Sequence, residues 1–135
     1  MTNTVKKLRR VRTTRKGWVR KLDAICREIV LLRDGSCAIC GTKNQPTPGH
    51  VFSRVAYSTR WDLTNIYQQC LSHNFRHEID PYPFLSYAEK VLGKNGLEKL
   101  HLKYNTPKKL RDWELEAMYE ELKLVRDAYS KLKNK

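Results

Sequence analysis

The sequence predicts an α+β protein, and three observations support this prediction. Apolar residues recur at helical spacing over residues 18–32 and again over residues 115–132. Residues 36–70 instead carry repeated glycine and proline turn signals, which leave no room for a long helix. We therefore expect a small core with short strands over about residues 36–80. An N-terminal helix and a helical C-terminal tail, at about residues 83–133, would flank that core.

The N-terminal segment contains basic residues and almost no large apolar ones. This composition predicts a flexible basic arm over residues 1–16, with a single domain spanning residues 17–135. From Trp18 onward the apolar residues share one helix face, and Gly35 is suited to end the helix in a left-handed conformation. Cys26 lies on that apolar face, so we expect it to be a buried apolar residue and not a ligand.

Two short strands are expected in the middle of the chain. They lie at "HVFSRVAY" (residues 50–57) and "NIYQQC" (residues 65–70), where β-branched and aromatic residues are frequent. The two strands would form a hairpin whose connection includes Trp61. A short helix is expected after Cys70 and would end near Ile79, because the proline-containing segment "DPYPF" follows.

The C-terminal tail is predicted to contain three helical stretches. Two shorter ones, at about residues 83–92 and 96–104, are separated by "GKNG", and Thr106-Pro107 is a favourable start for the last helix. Apolar residues of the last helix alternate at spacings of three and four, as in a coiled coil. This face can pack on the same chain or pair with a second copy. Its residues are Leu115, Met118, Leu122, Val125, Tyr129 and Leu132.

The net charge of +13 is distributed unevenly along the chain. Residues 1–34 carry 11 basic and 3 acidic residues, residues 35–83 carry 4 and 3, and residues 84–135 carry 12 and 8. A nearly neutral centre between basic ends favours binding to a polyanion, and DNA is the main candidate. Ribosomal or membrane-surface binding would fit the charge alone. The candidate DNA-binding residues are Arg9, Arg10, Arg12, Arg15, Lys16 and Arg54.

The chain is expected to be a cytoplasmic protein without a membrane span. No apolar run approaches the ~18 residues that a membrane helix needs, and the basic N-terminus lacks the apolar stretch of a signal peptide. In a reducing compartment, a Cys-x-x-Cys pair indicates metal binding or redox chemistry and not a structural disulfide.

Two residue pairs have the spacing of a metal knuckle. Cys37 and Cys40 form Cys-x-x-Cys, and Cys70 and His73 repeat the same spacing with His in the last place. Zinc is bound in tetrahedral Cys3His sites by these ligand types. Gly41 suits the tight turn after the first pair. A redox pair is the alternative for the first two cysteines, but no thioredoxin-like βαβ pattern surrounds them. We therefore predict a structural Zn²⁺ site.

The residues around the second pair resemble the HNH, or ββα-metal, nuclease motif. That motif places a His first, an Asn five residues before a zinc-binding Cys, and a His or Asn directly after the last zinc ligand. The corresponding residues in this chain are His50, Asn65 and Asn74. Many members also have an Asp before the first His, whereas this chain has Gly49 there.

A closer resemblance is to the NinG/Rap family of phage recombination endonucleases, over about residues 18–125. It is carried by "LLRDGSCAICG", "GHVFSR", "RWDLTN", "QC", the Asn after the knuckle and the tail "YAEKVLGKNGLEKLHLKY". Phage endonuclease VII, a Holliday-junction resolvase, similarly has Asn directly after its last zinc Cys. The resemblance implies a small ββα-metal (HNH-like) core framed by zinc. It also implies a phage- or prophage-encoded homodimeric enzyme that hydrolyses phosphodiester bonds in Holliday junctions and D-loops.

The resemblance also implies a role for each motif residue. His50 would be the general base, and Asn74 would be a ligand of a catalytic Mg²⁺ or Mn²⁺. Asn65 would fix the loop or orient His50. His77 or Glu78 would complete the outer shell or bind the metal, and Arg54 would hold a phosphate. The carboxylates near the motif are Asp62, Glu78 and Asp80.

Other interpretations of these residues and other functions remain open from the sequence. His50 and Asn65 can be hydrogen-bonded turn residues, and Asn74 can cap the helix after the knuckle. The chain can be an HNH nicking or packaging-associated endonuclease that acts on ordinary duplex DNA. It can also be a non-catalytic DNA-binding protein that contains zinc.

Overall fold

A computed structural model describes residues 12–134. The described part contains five α-helices, a short 3₁₀ turn at Leu63–Asn65 and one antiparallel sheet of two strands. The α+β prediction is confirmed. The elements are α1 (Arg15–Asp34), β1 (Pro46–His50), α2 (Tyr57–Arg60), β2 (Ile66–Cys70), α3 (Leu71–His77), α4 (Tyr82–Tyr104) and α5 (Asp112–Lys133).

Helix α1 begins earlier than the apolar pattern predicted. The side-chain oxygen of Thr14 accepts a hydrogen bond from the Gly17 N–H at 3.1 Å and caps the first turn. Arg15 and Lys16 therefore lie in the helix and not in the predicted flexible arm, whose residues 1–11 lie outside the described residues. At the other end, Gly35 has a φ of 75° and ends the helix as expected.

The main hydrophobic core lies between α1 and α5. Both helices contribute their apolar face, and Trp61 and Ile66 close the core toward the sheet. The repeated apolar face of α5 is therefore used within the chain, although Leu132 at its end stays 66% exposed. No helix among residues 12–134 is long and apolar enough to cross a membrane. The buried residues contributed by α1 and α5 are Leu22, Ile25, Cys26, Ile29, Val30, Leu115 and Leu122.

Strand β1 lies upstream of its predicted position. The strand covers Pro46–His50 and ends where the predicted strand at residues 50–57 begins, so that prediction is wrong. The second strand lies where it was expected, and the register pairs His50 with Ile66. Residues 51–56 form bends and turns instead, and the Asn65 side chain hydrogen-bonds to the backbone of Phe52 within them, as described below.

The two prolines of β1 are compatible with its place at the edge of the sheet. At one end of the ladder the Leu71 N–H donates a hydrogen bond to the Gln45 carbonyl oxygen at 2.9 Å. At the other end the Val51 N–H donates to the Asn65 carbonyl oxygen at 2.8 Å. Hydrogen-bonded positions alternate along an antiparallel pair, so Pro46 and Pro48 direct their nitrogens away from β2. A proline there removes no hydrogen bond from the ladder.

The outer edge of β2 is covered by the end of α1. Asp34 accepts a hydrogen bond from the Gln68 N–H at 2.9 Å. Arg33 donates to the carbonyl oxygen of Ile66 at 2.6 Å, and its guanidinium is itself held by the Asp34 carboxylate at 2.7 Å. The helix end thus satisfies strand groups that would otherwise be open to pairing with another chain.

The C-terminal helices agree with the sequence prediction only in part. Helix α4 is broken at Gly93, which has φ 77° and ψ 164°, so the two predicted stretches around "GKNG" are confirmed. Helix α5 begins at Asp112 and not at Thr106-Pro107, so this predicted start is wrong. The Thr106 hydroxyl donates to the Leu102 carbonyl at 2.7 Å and belongs to the end of α4. Glu114 instead accepts from the Arg111 N–H at 3.2 Å and caps α5.

Candidate metal centre and adjacent cavities

The four predicted zinc ligands come together in one cluster. The sulfur atoms of Cys37, Cys40 and Cys70 and one ring nitrogen of His73 all lie within 4.8 Å of one another. His73 Nδ1 is 3.2 Å from the Cys70 sulfur and 3.9 Å from the Cys37 sulfur, and the Cys40 and Cys70 sulfurs are 4.0 Å apart. A tetrahedral site with Zn–S bonds of about 2.3 Å has edges of about 3.8 Å. The donor set and its spacing therefore fit a bound zinc ion.

Local structure positions each half of this cluster. After the first pair, Gly41 adopts a φ of 76° and its N–H donates to the Cys37 carbonyl at 2.9 Å, which closes the knuckle turn. Cys70 is the last residue of β2, and His73 lies in the first turn of α3. The N–H of Ala38 donates to the Gln68 carbonyl at 2.8 Å and joins the knuckle to β2.

The environment of Cys37 favours its thiolate form. Burial raises the pKa of this thiol. Hydrogen bonds from the backbone N–H groups of Cys40, Cys70 and Ile39 lower it, and their effect is larger in sum. The pKa of Cys37 therefore lies below its ordinary value. Cys26 is different, since burial raises the pKa of its thiol to about 12 and it lies in the apolar core. Cys26 is thus a core residue, as the sequence predicted.

A cavity of about 660 Å³ collects most of the predicted catalytic residues. His50 reaches it from the end of β1, and Asn74, His77 and Glu78 reach it from α3 and the residue after it. Arg54 lines the cavity from the turn region that follows β1. Of the predicted catalytic residues, Asn65 alone does not line this cavity.

His50 is held in a defined orientation and favours its neutral form. Its Nε2 lies 2.9 Å from the Arg60 carbonyl oxygen, which can only accept a hydrogen bond. Nε2 therefore carries the proton, and Nδ1 carries the lone pair when the ring is neutral. Burial lowers the pKa of His50 below its ordinary value, and the Arg54 charge acts in the same direction. The imidazole can accept a proton near neutral pH.

A contact that the sequence patterns did not indicate fixes the segment that orients His50. The Asp23 carboxylate on α1 accepts hydrogen bonds from Arg60 Nε at 3.0 Å and Nη2 at 2.7 Å. It also accepts from the Trp61 indole N–H at 2.8 Å. The Arg60 guanidinium in turn donates to the Arg54 carbonyl at 3.3 Å. No local signal marks Asp23, because its partners lie far away in the sequence.

Asn65 is fully buried and organises the turn region between β1 and α2. Its side-chain amide exchanges two hydrogen bonds with the backbone of Phe52, at 2.9 and 3.0 Å, and donates a third to the Thr59 carbonyl at 3.1 Å. The Phe52 ring stacks on Tyr104 of α4, with ring centroids 5.2 Å apart. The amide of Asn65 is therefore fully used in holding the loop, which agrees with the loop-fixing role considered for it.

Asn74 and His77 share one face of α3 and are oriented by different hydrogen-bond partners. The Asn74 amide N–H donates to the Thr47 hydroxyl oxygen at 3.0 Å, and its carbonyl oxygen has no hydrogen-bond partner among the described residues. His77 Nε2 lies 2.9 Å from the Val51 carbonyl oxygen, so this nitrogen donates. His77 lines the His50 cavity and also a second cavity beside it.

Of the three carboxylates near the motif, Glu78 is the one that lines the His50 cavity. Asp62 instead caps the turn before β2 through the Thr64 N–H at 2.9 Å and pairs with Lys103 at 2.6 Å. Asp80 accepts a hydrogen bond from the Tyr82 N–H at 3.2 Å and lies at the second cavity. The side chain of Glu78 is exposed.

Of the predicted DNA-binding residues that the structure describes, Arg54 lines the cavity and Arg12, Arg15 and Lys16 do not. Arg54 is at the cavity, whereas Arg15 pairs with Asp112 at 3.1 Å and its guanidinium lies over the Tyr57 ring. Arg12 and Lys16 are exposed. Arg9 and Arg10 lie outside the described residues.

Comparison with known proteins assigns no family. Neither a family model, nor a curated protein, nor a solved structure matches this chain.

Proposed function

We propose that this protein is a metal-dependent DNA endonuclease that hydrolyses phosphodiester bonds in branched recombination intermediates such as Holliday junctions and D-loops. The observation that supports the proposal most is the joint placement of His50, Arg54 and Asn74 around one cavity, with Asn74 directly after the cluster residue His73. Burial lowers the pKa of His50, and the carbonyl oxygen of Asn74 has no partner among residues 12–134, so these two groups would supply a base and a metal-binding oxygen there.

The arrangement of β1, β2 and α3 supports an HNH-like, or ββα-metal, assignment. The two strands pair directly, and α3 begins at the residue after β2. His50 lies at the end of the first strand, and Asn74 lies on the helix. The Cys/His cluster lies at the junction of β2 and α3 and holds that junction in place, as the resemblance to HNH nucleases implies.

In the proposed reaction, Nδ1 of His50 accepts a proton from water, and the water oxygen attacks the phosphorus. The bond from phosphorus to the 3′ oxygen then breaks. Arg54 binds a phosphate oxygen and neutralises part of its charge. A Mg²⁺ or Mn²⁺ ion would supply further stabilisation of the negative charge on the phosphate and the leaving oxygen. Asn74 is the proposed ligand of this ion, and Glu78, which lines the same cavity, is the candidate carboxylate.

The preference for branched DNA and the homodimer are the parts of the proposal that rest most on the family resemblance. The net charge of +13 supports binding to nucleic acid of any shape. Symmetric cutting of a junction needs two active sites, which a homodimer provides. The apolar face of α5 is already packed on α1, so a dimer would use another surface.

The decisive experiment compares cleavage of a four-way junction, a D-loop and a linear duplex of matched sequence, with Mg²⁺ or Mn²⁺. Wild-type protein should cut the branched substrates, and His50→Ala should bind them without cutting. Lys90→Ala is the control, because Lys90 is exposed on α4, does not line the cavity and should be dispensable for cleavage.

Three results would contradict parts of the proposal. DNA binding without cleavage by the wild-type protein favours the non-catalytic zinc-containing protein. Equal cutting of all substrates favours a nicking or packaging-associated enzyme on duplex DNA. Full activity of His50→Ala removes His50 from the mechanism.

A further inference from the structure

A third cavity, of about 320 Å³, adjoins the His50 cavity, and Val55 lines both of them. The Val55 side chain is 86% exposed and lies at the common edge of the two spaces. A chain-like substrate that leaves the His50 cavity across Val55 therefore enters the third cavity.

Lys108 gives the third cavity a positive charge. It is the one charged residue among those of residues 12–134 that line this cavity, and the walls include Tyr57, Tyr104 and Pro107. Lys108 is exposed, and no carboxylate of the described residues forms an ion pair with it. An anionic ligand with apolar parts fits this lining.

The loop that carries Lys108 is basic and is anchored at both ends. Residues 105–111 link α4 to α5 and contain three basic residues and no acidic one. Before the loop, Tyr104 stacks on Phe52 with ring centroids 5.2 Å apart, and Phe52 is held by the Asn65 amide. Near the end of the loop, Leu110 is 5% exposed and belongs to the α1–α5 core. The position of Lys108 relative to the turn that carries Arg54 is therefore fixed before any ligand binds.

Acidic side chains limit how far an anionic chain can extend past Lys108. The next cavity, of about 210 Å³, is lined by Lys108 but also by Asp62 and Glu121. Carboxylates repel phosphate groups, so the favourable path runs from Arg54 to Lys108 and ends there.

We propose that the third cavity binds one strand of the DNA substrate, and that Lys108 donates a hydrogen bond to a phosphate on one side of the scissile phosphate. Lysine and tyrosine side chains commonly contact phosphate and sugar groups, and such contacts fix the position of the duplex on a protein. The inference rests on the proposed function for the place of the scissile phosphate at Arg54. It assigns the α4–α5 loop, and not the N-terminal basic segment, to the DNA path next to the His50 cavity.

The experiment measures the Kd of zinc-loaded protein for a four-way junction and for a matched duplex, by fluorescence anisotropy at several salt concentrations. No Mg²⁺ or Mn²⁺ is added, so binding is measured apart from cleavage. Loss of one phosphate contact lowers the slope of log Kd against log salt concentration by about one. Lys108→Gln should show this reduction, and Lys108→Arg should restore the slope of the wild-type protein.

Single methylphosphonate substitutions, which remove the charge of one phosphate at a time, locate the contact along the strand. The phosphate that Lys108 contacts should matter to wild-type protein and no longer matter to Lys108→Gln, because the two changes remove the same contact. Arg54→Gln should be coupled in the same way to a different phosphate of that strand.

Lys109→Gln is the matched control. Lys109 is the next residue, has the same charge and is exposed, but it does not line the third cavity. Its loss should be coupled to none of the phosphates. Circular dichroism checks that the variants are folded.

Three outcomes would overturn the inference. Wild-type protein that binds no DNA has no such site. A salt slope that Lys108→Gln leaves unchanged means that Lys108 contacts no phosphate. Equal effects of Lys108→Gln and Lys109→Gln at every position mean that the loop contributes only unspecific charge.

Failure of the nuclease proposal has a different result. Coupling of Lys108 to one phosphate in a protein that never cuts DNA supports the strand site and removes the enzyme. Cleavage of DNA without any coupling at Lys108 supports the enzyme and removes the strand site.

Discussion

Asp23 and Arg60 form a two-pronged ion pair between α1 and the end of α2, with N···O distances of 3.0 and 2.7 Å. The carbonyl oxygen of the same Arg60 accepts the hydrogen bond from His50. The orientation of the proposed base therefore depends on a carboxylate in a helix that does not itself line the cavity.

Replacing Asp23 by Asn should destabilise the protein and disturb the base. The side chains of Arg60 and Asp23 are 18% and 31% exposed, so the pair is largely shielded from water. We expect the free energy of unfolding to fall by about 1–3 kcal/mol, as for other hydrogen bonds to charged groups. Urea denaturation followed by circular dichroism measures this change.

Asp127→Asn is the control for this prediction. The Asp127 side chain is 58% exposed in its pair with Arg126, so the loss there should be below about 0.5 kcal/mol. The Asp23→Asn variant should also cleave DNA with a lower kcat. Equal destabilisation by the two substitutions would show that the Asp23–Arg60 pair stabilises the protein no more than the exposed Asp127–Arg126 pair does.

Cleavage should increase with pH through an apparent pKa below 6.5, the ordinary value for His. Burial and the nearby Arg54 charge lower the pKa of His50, and the neutral imidazole, which is the base, predominates above that pKa. Removing the Arg54 charge in Arg54→Gln should therefore move the acidic limb toward higher pH. The pH dependence of kcat/KM measures the midpoint separately from any loss of rate.

Lys90→Gln is the control for this prediction. It removes an exposed charge on α4 and should leave the midpoint of the acidic limb unchanged. An acidic limb that Arg54→Gln does not move would mean that another group controls the rate.

Gly49→Ala should destabilise the protein because of its contact with Gln69. The added Cβ would lie 2.1 Å from Oε1 of Gln69, so the amide or the strand must move. We expect a loss of about 1–3 kcal/mol in the free energy of unfolding, which is typical of overpacking a buried site. In a Gln69→Ala background the same substitution should cost much less. A double-mutant cycle measures this coupling, and the same cost in both backgrounds would refute the steric explanation.

Zinc content tests His73 as the fourth ligand. The purified wild-type protein should contain about one equivalent of zinc, the content of a single four-ligand site. His73→Ala should lower this content, whereas His73→Cys should restore it, since a thiolate also ligates zinc. Cys26→Ala should keep the full content, because Cys26 lies in the α1–α5 core. Elemental analysis provides the measurement, and full zinc in His73→Ala would exclude His73 as a ligand.

The features that short sequence signals predicted are those with local causes. Gly35 ends α1 because its conformation is unfavourable for other residues, and the strand before Cys70 has a clear β-pattern. The spacing of the two metal pairs also gave the complete Cys/His cluster. Each signal spans only a few residues, and only the meeting of the two metal pairs joins distant parts of the chain.

The features that the sequence did not reveal depend on distant partners. The turn after β1 follows from the bonds of Asn65 to Phe52 and Thr59, which override the β-propensity of residues 50–57. Asp23 and Gln69 likewise acquire their roles from the packing of α1 on α2 and of β2 on β1. Local patterns do not encode such pairings.

The Cys/His cluster also divides the molecule into two parts that differ in their resistance to local unfolding. Residues 41–69 lie between the two ligand pairs, and they include His50, Arg54 and Arg60. With metal bound, this segment is a closed loop and has less conformational freedom when unfolded. The α1–α5 core includes Trp61 and Ile66 of this loop, but its other buried residues lie outside the loop. Amide hydrogen exchange should therefore accelerate first in residues 41–69 when metal is withdrawn, while α1 and α5 remain protected.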